Sequence, residues 1–308
     1  MSAVFFDSGM DDDARRARIY AGDIFVFSPK PSSTAFVEFA RGMIEAAFAP
    51  LDPVQAQYDL PVERFVEIVA PLMPRFIHQP ESKRLIQAML ADFDCDLEQT
   101  YFDVPRLRVQ THGEYLTAGV GYRLHAHRDT WYASPMSQVN WWSAVYPFES
   151  ESSMAFFPRY FDHPVKNGSE DFDLYDWNAR GRRDAAKQVG KDTRQQPHAE
   201  EDVDLDAQIR IVAQPGSVIL FSGAQFHATV PNTSGRTRFS VDFRTVHLHD
   251  VLAQRGARNV DSRGTGTTLR AHLRGTDCEP LPEAAARIYD PNPPADAILV
   301  FKPENVSS

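Results

Sequence analysis

Residues 237–246 read Thr237-Arg238-Phe239-Ser240-Val241-Asp242-Phe243-Arg244-Thr245-Val246. On extended backbone successive side chains point to opposite faces, so Phe239, Val241 and Phe243 make an apolar face and Arg238, Ser240, Asp242 and Arg244 a polar one. That alternation predicts a strand with one buried side. Its polar face either meets solvent, as in any half-buried strand, or lines the inside of a closed β-structure. The same texture recurs upstream. Val139, Trp141, Ser143 and Val145 alternate, residues 154–157 are apolar, and Pro215-Gly216 predicts a turn into a short apolar strand over 217–221. In 115–124, Leu116, Ala118, Val120, Tyr122 and Leu124 alternate with Thr117, Gly119, Gly121 and Arg123, which predicts a further strand. Strands at this spacing, broken by Gly and Pro turns, predict an antiparallel sandwich or barrel.

Before residue 100 the period is helical. Phe36, Phe39, Ala40, Met43, Ile44, Ala47 and Phe48 recur at three- and four-residue steps after possible N-caps at Ser32, Ser33 or Thr34. A second pattern runs from Pro61 through Phe65, Ile68, Val69 and Leu72 and is expected to stop at Pro74, and a third runs from Glu81 through Leu85, Ile86, Met89 and Leu90. Three helices can lay these stripes on one face of a sheet, as core packing without chemistry of its own. The expected organisation is a single domain over 1–308. Residues 1–97 give helical support and 98–248 a β-core. That core is interrupted at 162–208 by a mixed-charge stretch without apolar periodicity, the length of a lid or binding loop. A Gly-, Arg- and Pro-rich extension over 249–308 is expected to wrap the domain. The fold class is mainly β with N-terminal helices (α+β).

Composition narrows the function classes. With 308 residues, 43% hydrophobic, and 21 Phe, the chain has ample material for a core. Two cysteines, Cys95 and Cys278, lie far apart and outside any CxxC pattern, which speaks against a disulfide framework or a thiolate zinc site and fits a reducing cytoplasm. No stretch approaches the roughly 18 apolar residues of a membrane span, and residues 1–20 lack the features of a signal peptide. A formal charge of −10 argues against nucleic acid as the main partner, because phosphate binding needs a clustered basic surface.

The densest chemical signal is Leu124-His125-Ala126-His127-Arg128-Asp129-Thr130. On extended backbone His127 and Asp129 reach one point, with His125 on the same side and Arg128 pointing away. His227 follows one hundred residues later, in Phe221-Ser222-Gly223-Ala224-Gln225-Phe226-His227. Two histidines and a carboxylate occupy one face of an octahedral metal and leave three positions open, the arrangement of non-haem Fe(II) oxygenases. Eleven residues after His227 comes Arg238, then Ser240, on the polar face of the strand read above. A guanidinium fork with a hydroxyl beside it suits the remote carboxylate of a dicarboxylic cosubstrate. Thr130, Asn140, Trp131, Tyr132 and Trp142 are candidates to shape the pocket, and Arg108 and Gln110 to contact substrate. Arg108, Arg123 and Arg244 favour an anionic group on a small polar substrate, or else form surface or internal ion pairs.

The order HxD, distal His, Arg eleven residues on and Ser two beyond resembles the Fe(II)/2-oxoglutarate-dependent dioxygenases, and most of all their phytanoyl-CoA dioxygenase-like branch. The motifs that carry this likeness lie within residues 98–248. It implies a double-stranded β-helix (jelly-roll, cupin-like) core, with His127, Asp129 and His227 as iron ligands. It also implies Arg238 and Ser240 on 2-oxoglutarate; from their nearness in sequence to the metal motif, Thr130 and Asn140 are expected near the cosubstrate, and Arg108, Gln110, Trp131 and Trp142 near the substrate. The implied reaction consumes O2 and 2-oxoglutarate, releases succinate and CO2 and oxidises a small molecule. Related halogenases have Gly or Ala where this chain has Asp129, so the implied oxidation is a hydroxylation or another non-halogenating reaction.

Other readings use the same residues. Gly119, His125 and His127, with Pro215-Gly216 through His227 to Asn232, resemble the two halves of a metal-binding cupin motif, but Trp131 and Tyr132 stand where that motif places its glutamate. His125-x-His127-x-Asp129 resembles the opening of the metallo-β-lactamase zinc motif, and Thr130 breaks it. His127-Arg128-Asp129 has the letters of a kinase catalytic loop, but Ser134 replaces the expected Asn and no Gly-rich loop precedes it. A non-catalytic jelly-roll binding module would leave the histidines structural.

Overall fold

A computed structural model of the protein describes residues 2–121, 125–181, 188, 192 and 196–295. In chain order its elements are β1 (Val4–Phe6), α1 (Asp12–Tyr20), β2 (Ile24–Phe27), α2 (Pro31–Phe48), α3 (Val62–His78), α4 (Pro80–Asp92), β3 (Thr100–Phe102) and β4 (Arg106–Gln110). There follow β5 (Val139–Ala144), β6 (Met154–Phe156), β7 (Ile209–Arg210), β8 (Val218–Ser222), β9 (His227–Thr229), β10 (Arg238–His247), α5 (Leu248–Leu252) and β11 (Leu273–Arg274), with short helical turns between.

Strand β10 organises the main sheet. One of its edges pairs with β5, the other with β4 along its first half and β3 along its last residues. The sheet continues outward through β8, β2 and β1 on one side and β11 on the other. All its pairs are antiparallel except β1 with β2. A second sheet, ordered β7-β6-β9, is antiparallel throughout.

Alternation sorts the main sheet's side chains. Leu107 and Val109 of β4, Val139 and Trp141 of β5, Val218 and Leu220 of β8, and Phe239, Val241 and Phe243 of β10 share one cluster with Phe36, Ile44 and Phe48 of α2, Phe65, Val69, Leu72 and Phe76 of α3, and Ile86, Met89 and Leu90 of α4. Three helices therefore cover one face of this sheet, as their apolar stripes predict. Trp141 stacks on Phe243 with ring centroids 5.2 Å apart, and Phe48 meets Phe239 edge-on at 6.0 Å. Each such buried ring is worth roughly 1.5–3 kcal/mol of transfer free energy. On the other face Ile24, Val26, Trp142, Ala144, Ile219 and Phe221 meet Met154 and Phe156 of the small sheet, so the interior is apolar toward β2 and β8. The polar row of β10 points to this same inner side.

Four local expectations are corrected. The N-cap of α2 is Lys30 with Pro31 at the first helical position. Ser33 instead accepts the Lys30 backbone N–H from inside the first turn, at 3.0 Å. Helix α3 runs through Pro71 and Pro74 to His78, because Phe65, Val69, Leu72 and Phe76 keep helical spacing past both prolines and are all buried. The described part of 115–124 is not a strand. The Thr111 hydroxyl closes a loop onto Leu116, and Gly119, at φ +61°, leads into a 3₁₀ turn over Gly119–Gly121 that extended backbone does not accommodate. Tyr122, Arg123 and Leu124 lie outside the described residues. Finally, the N-terminal segment is not only helical, since β1 and β2 extend the main sheet.

Of the described parts of the 162–208 stretch, Val165 packs with Phe157 and Phe226 beside the small sheet, and Phe172 and Leu174 pack with Ala133 and Tyr132. From α5 the chain crosses to the far edge of the main sheet, where β11 pairs with β3. Among the described residues no helix is long and apolar enough to cross a membrane, and Cys95 and Cys278 are both free.

Candidate metal centre

Backbone hydrogen bonds bring the two histidines together. His127 and His227 form an antiparallel bridge in which each N–H donates to the other's carbonyl at 2.9 Å. Arg128 is extended, at φ −111° and ψ 143°, so residues 127 and 129 face the same way before the chain turns into the 3₁₀ segment Asp129–Tyr132.

The resulting group is His127, Asp129 and His227, all buried, with one ligand atom of each lying within 4.8 Å of the others. His127 Nε2 stands 3.3 Å and His227 Nε2 3.9 Å from Asp129 Oδ1. Ligands about 2.1 Å from a shared first-row ion and at right angles sit about 3 Å apart, so small rotations close the set. Each ring's other nitrogen is occupied. His127 Nδ1 lies 2.7 Å from the His125 carbonyl and His227 Nδ1 2.9 Å from that of Gln225, which makes both Nδ1 atoms donors and leaves both Nε2 lone pairs for an ion. Asp129 is held likewise. Its Oδ2 accepts from Asn140 Nδ2 at 2.8 Å and Gln138 Nε2 at 3.1 Å, with Arg244 Nε at 3.6 Å, which leaves Oδ1 facing the histidines. A side chain at Gly223 would press on Gln138, its Cβ 3.0 Å from Nε2, so glycine there keeps the amide in place.

Electrostatics match a cation site. Burial pushes His227 down to about 4, helped by the neighbouring His127 and opposed by Asp129, so His227 is neutral and ligand-competent at pH 7. For Asp129 burial acts upward, but the close approach of His127 and His227 and the hydrogen bond from the Asn140 amide outweigh it and hold the carboxyl below the usual range.

The triad opens into a cleft with about 690 Å³ of unfilled space, part of it open solvent. Arg108, Gln110, Asn140, Trp142, Met154, Phe221, Arg238, Ser240, Asp242 and Arg244 line it. The polar row of β10 therefore faces a cavity. Arg238 is 7% exposed. Its Nη1 donates to the Ser152 carbonyl at 2.7 Å and its guanidinium lies 5.6 Å from the Trp142 ring centroid. Its Nε, the Ser240 hydroxyl and the Gln110 Oε1 are buried without a partner, and among the described residues no carboxylate pairs with Arg238. Burial, then the nearby Arg108, lowers its pKa to about 10, which still leaves it charged at neutral pH.

The remaining candidates divide. Asn140 acts on Asp129, and Trp142 lies beneath Arg238. Thr130 and Trp131 do not reach the cleft, because the 3₁₀ turn directs them behind the ligands. Thr130 Oγ1 accepts from Ser262, and Trp131, fully buried against Phe226, donates to Asp261 at 2.8 Å. Tyr132 sets its ring 5.5 Å from His127 and donates to the Pro197 carbonyl. Arg108 pairs with Asp242 at 2.8 Å, and Arg244 with Asp103 at 3.5 Å and Asp242 at 3.7 Å, so carboxylates engage both. Arg123 lies outside the described residues. His125 is exposed and joins the site only through its carbonyl, so it does not compete with His127. Gln138 and Arg244 at Asp129 were not predicted. The alternation Gln138-x-Asn140 leading into β5 was a readable signal for the first.

No protein-family model matches the chain, and no curated protein sequence does. Among solved structures it is similar to EvdO2 from Micromonospora carbonacea var. aurantiaca, at 14% identity over 88% of this chain and 96% of that one, with a TM-score of 0.46. A structure of EvdO2 complexed with 2-oxoglutarate matches at 13% identity over 78% and 92%, with a TM-score of 0.45. The non-heme alpha ketoglutarate dependent epimerase SnoN from nogalamycin biosynthesis matches at 12% over 77% and 85%, with a TM-score of 0.39.

Proposed function

We propose that the chain is a non-haem Fe(II)/2-oxoglutarate-dependent oxygenase with a jelly-roll core, akin to the phytanoyl-CoA dioxygenase-like branch. In this reading it hydroxylates a small polar metabolite with O2, releasing succinate and CO2. One observation carries the reading. A buried His127/Asp129/His227 group shares its cleft with a buried guanidinium, Arg238, that lacks a carboxylate partner and lies on the same strand face as the unpartnered Ser240 hydroxyl. Three ligands leave an octahedral ion with open positions, which suits catalysis better than a structural site. An anion at Arg238 and Ser240 would satisfy groups that are otherwise costly to bury.

Iron and 2-oxoglutarate would supply the O2 activation and C–H oxidation, and the protein's share is positioning and electrostatics. Nε2 of His127, Nε2 of His227 and Oδ1 of Asp129 would hold the ion, each fixed from behind by the carbonyls of His125 and Gln225 and the amides of Gln138 and Asn140. Arg238 and Ser240 would bind the distal carboxylate of the cosubstrate, and Trp142, Met154 and Phe221 give the cleft apolar walls that limit water. Because carboxylates already engage Arg108 and Arg244, substrate recognition rests on neutral polar contacts more than on a spare cation.

The test is anaerobic loading with Fe(II), then addition of O2 and 2-oxoglutarate, with succinate measured for the wild type, His127→Ala and Asp129→Ala. Wild-type protein is expected to form succinate slowly even without its substrate, and both variants to fall to background. Undiminished succinate from His127→Ala would sink the assignment.

A further inference from the structure

Arg128 stands between two candidate ligands yet faces away from the cleft, 1% exposed, which makes it among the largest fully buried side chains of the molecule. Its Nη1 donates to the Ala224 carbonyl at 2.7 Å, and its Nη2 donates to the carbonyls of Tyr160 and, at 2.9 Å, His163. Ala224 lies three residues before His227, so the guanidinium ties the HxD segment to the segment carrying the third ligand. The backbone adds the His127–His227 bridge on one side and a bond from Thr130 N–H to the Gly223 carbonyl, 3.3 Å, on the other.

Those carbonyls satisfy hydrogen bonds but do not neutralise charge. Among the described residues the ion-pair partner of Arg128 is Asp261, whose side chain is 5% exposed. Each Asp261 oxygen accepts twice. Oδ1 takes Arg128 Nε at 3.1 Å and Trp131 Nε1 at 2.8 Å, and Oδ2 takes Arg128 Nε at 3.0 Å and the Val165 N–H at 2.9 Å. The Asp261 carbonyl also accepts from Asn167 at 3.0 Å. One carboxylate of the C-terminal extension thus grips the residues on either side of Asp129 (Arg128 and Trp131) and the start of the 162–208 stretch. A carboxylate is acceptor-only, as four converging donor contacts require, whereas an amide would turn its own N–H₂ toward one of them.

We propose that Asp261 is a positioning residue for the metal triad, setting metal affinity by fixing Arg128 and Trp131 around Asp129. This role rests on the reading of His127, Asp129 and His227 as a metal site. Removing a partner bonded directly to a ligand typically weakens metal binding about 10- to 100-fold, and Asp261, which acts through Arg128 and Trp131, is expected at the low end of that range.

The test is titration of metal-free protein with Co(II), followed by visible absorption, together with thermal melts. Asp261→Asn is expected to bind Co(II) about 10-fold more weakly, with altered ligand-field bands. Leu72→Ala, a lesion in the helical layer across the main sheet, should lower Tm without changing Co(II) affinity. The double variant Arg128→Met/Asp261→Asn removes the buried charge together with its partner. It should regain Tm while Co(II) binding stays weak, and it decides the matter if Asp261→Asn alone does not fold. Wild-type Co(II) affinity in Asp261→Asn overturns the proposal. So does full recovery of affinity in the double variant, or an equal loss in Leu72→Ala, since each marks a role in stability alone. Failure of the wild type to bind Co(II) overturns the metal reading itself, and this role with it.

Discussion

Moving a guanidinium out of water costs several kcal/mol unless counter-charge or acceptors replace its hydration shell. Arg238 has one carbonyl and one indole face, and its Nε–H has nothing. Retaining it in the cleft makes sense if an anion completes the set. Charge-assisted hydrogen bonds contribute about 1.5–3 kcal/mol, or roughly 10- to 150-fold in affinity. Arg238→Met is therefore expected to raise the 2-oxoglutarate concentration needed for half-maximal succinate formation by about that factor while Co(II) affinity holds. Ser240→Ala should follow in the same direction with a smaller effect. An unchanged 2-oxoglutarate requirement in Arg238→Met would remove the residue from the cosubstrate site. Both residues were legible as neighbours on one strand face, because period two is a local property. Whether that face met solvent or a cavity was not legible, since that depends on a second sheet built from distant segments. Thr130 and Trp131 were misplaced for a related reason: sequence distance from Asp129 says nothing about a 3₁₀ turn that rotates the next two side chains behind it.

Elements with long, regular apolar spacing were the easiest to read. Helices α2 to α4 and strands β5, β8 and β10 fall where their periods place them. The errors lie where a local signal met a tertiary one. In α3, Pro74 lacks the N–H that an interior helix position donates, and burial of Phe76 two residues later carries the helix on regardless. Replacing Pro74 by Ala supplies the missing donor at a half-buried position. It is expected to raise unfolding stability by about 1–3 kcal/mol, read as a higher denaturant midpoint at unchanged slope. A lower midpoint would mean that the ring's packing outweighs the hydrogen bond. The 115–121 loop shows the converse failure. Its apolar alternation was real, but Gly119 at positive φ fixed a turn, and Leu116 went into the core from a loop.

Long-range pairings govern the molecule as a whole, and they left the faintest trace in the sequence. No local pattern announces that Asp261 meets Arg128, or that β1 and β2 join a sheet whose other strands begin at residue 100 or later. The C-terminal extension is held partly by such contacts. One of its residues, His272, is fully buried, its Nδ1 3.1 Å from the Thr268 carbonyl and its Nε2 without a partner. Burial lowers its pKa below the ordinary 6.5, against the pull of Asp103. An unfolded chain takes up that proton near pH 6.5 while the folded one refuses it, so stability is full above that pH and declines as pH falls below it. Metal-free protein should therefore unfold at lower denaturant at pH 5.5 than at pH 7.5, and His272→Asn should reduce the difference, leaving the part that the lowered His227 and His247 contribute in the same direction. An identical pH slope in that variant would assign the effect to other groups.

The bridge between His127 and His227 closes a loop of a hundred residues. During synthesis the HxD segment leaves the ribosome long before its third partner, and β10, with Arg238 and the centre of the main sheet, emerges later still. If the site binds iron and 2-oxoglutarate as proposed, a nascent chain would offer at most two of the three ligands and no anchor for the cosubstrate. On the proposed function, iron would then be acquired among the last events of each molecule's assembly, and oxygen chemistry could not begin on a chain that is still unfolded.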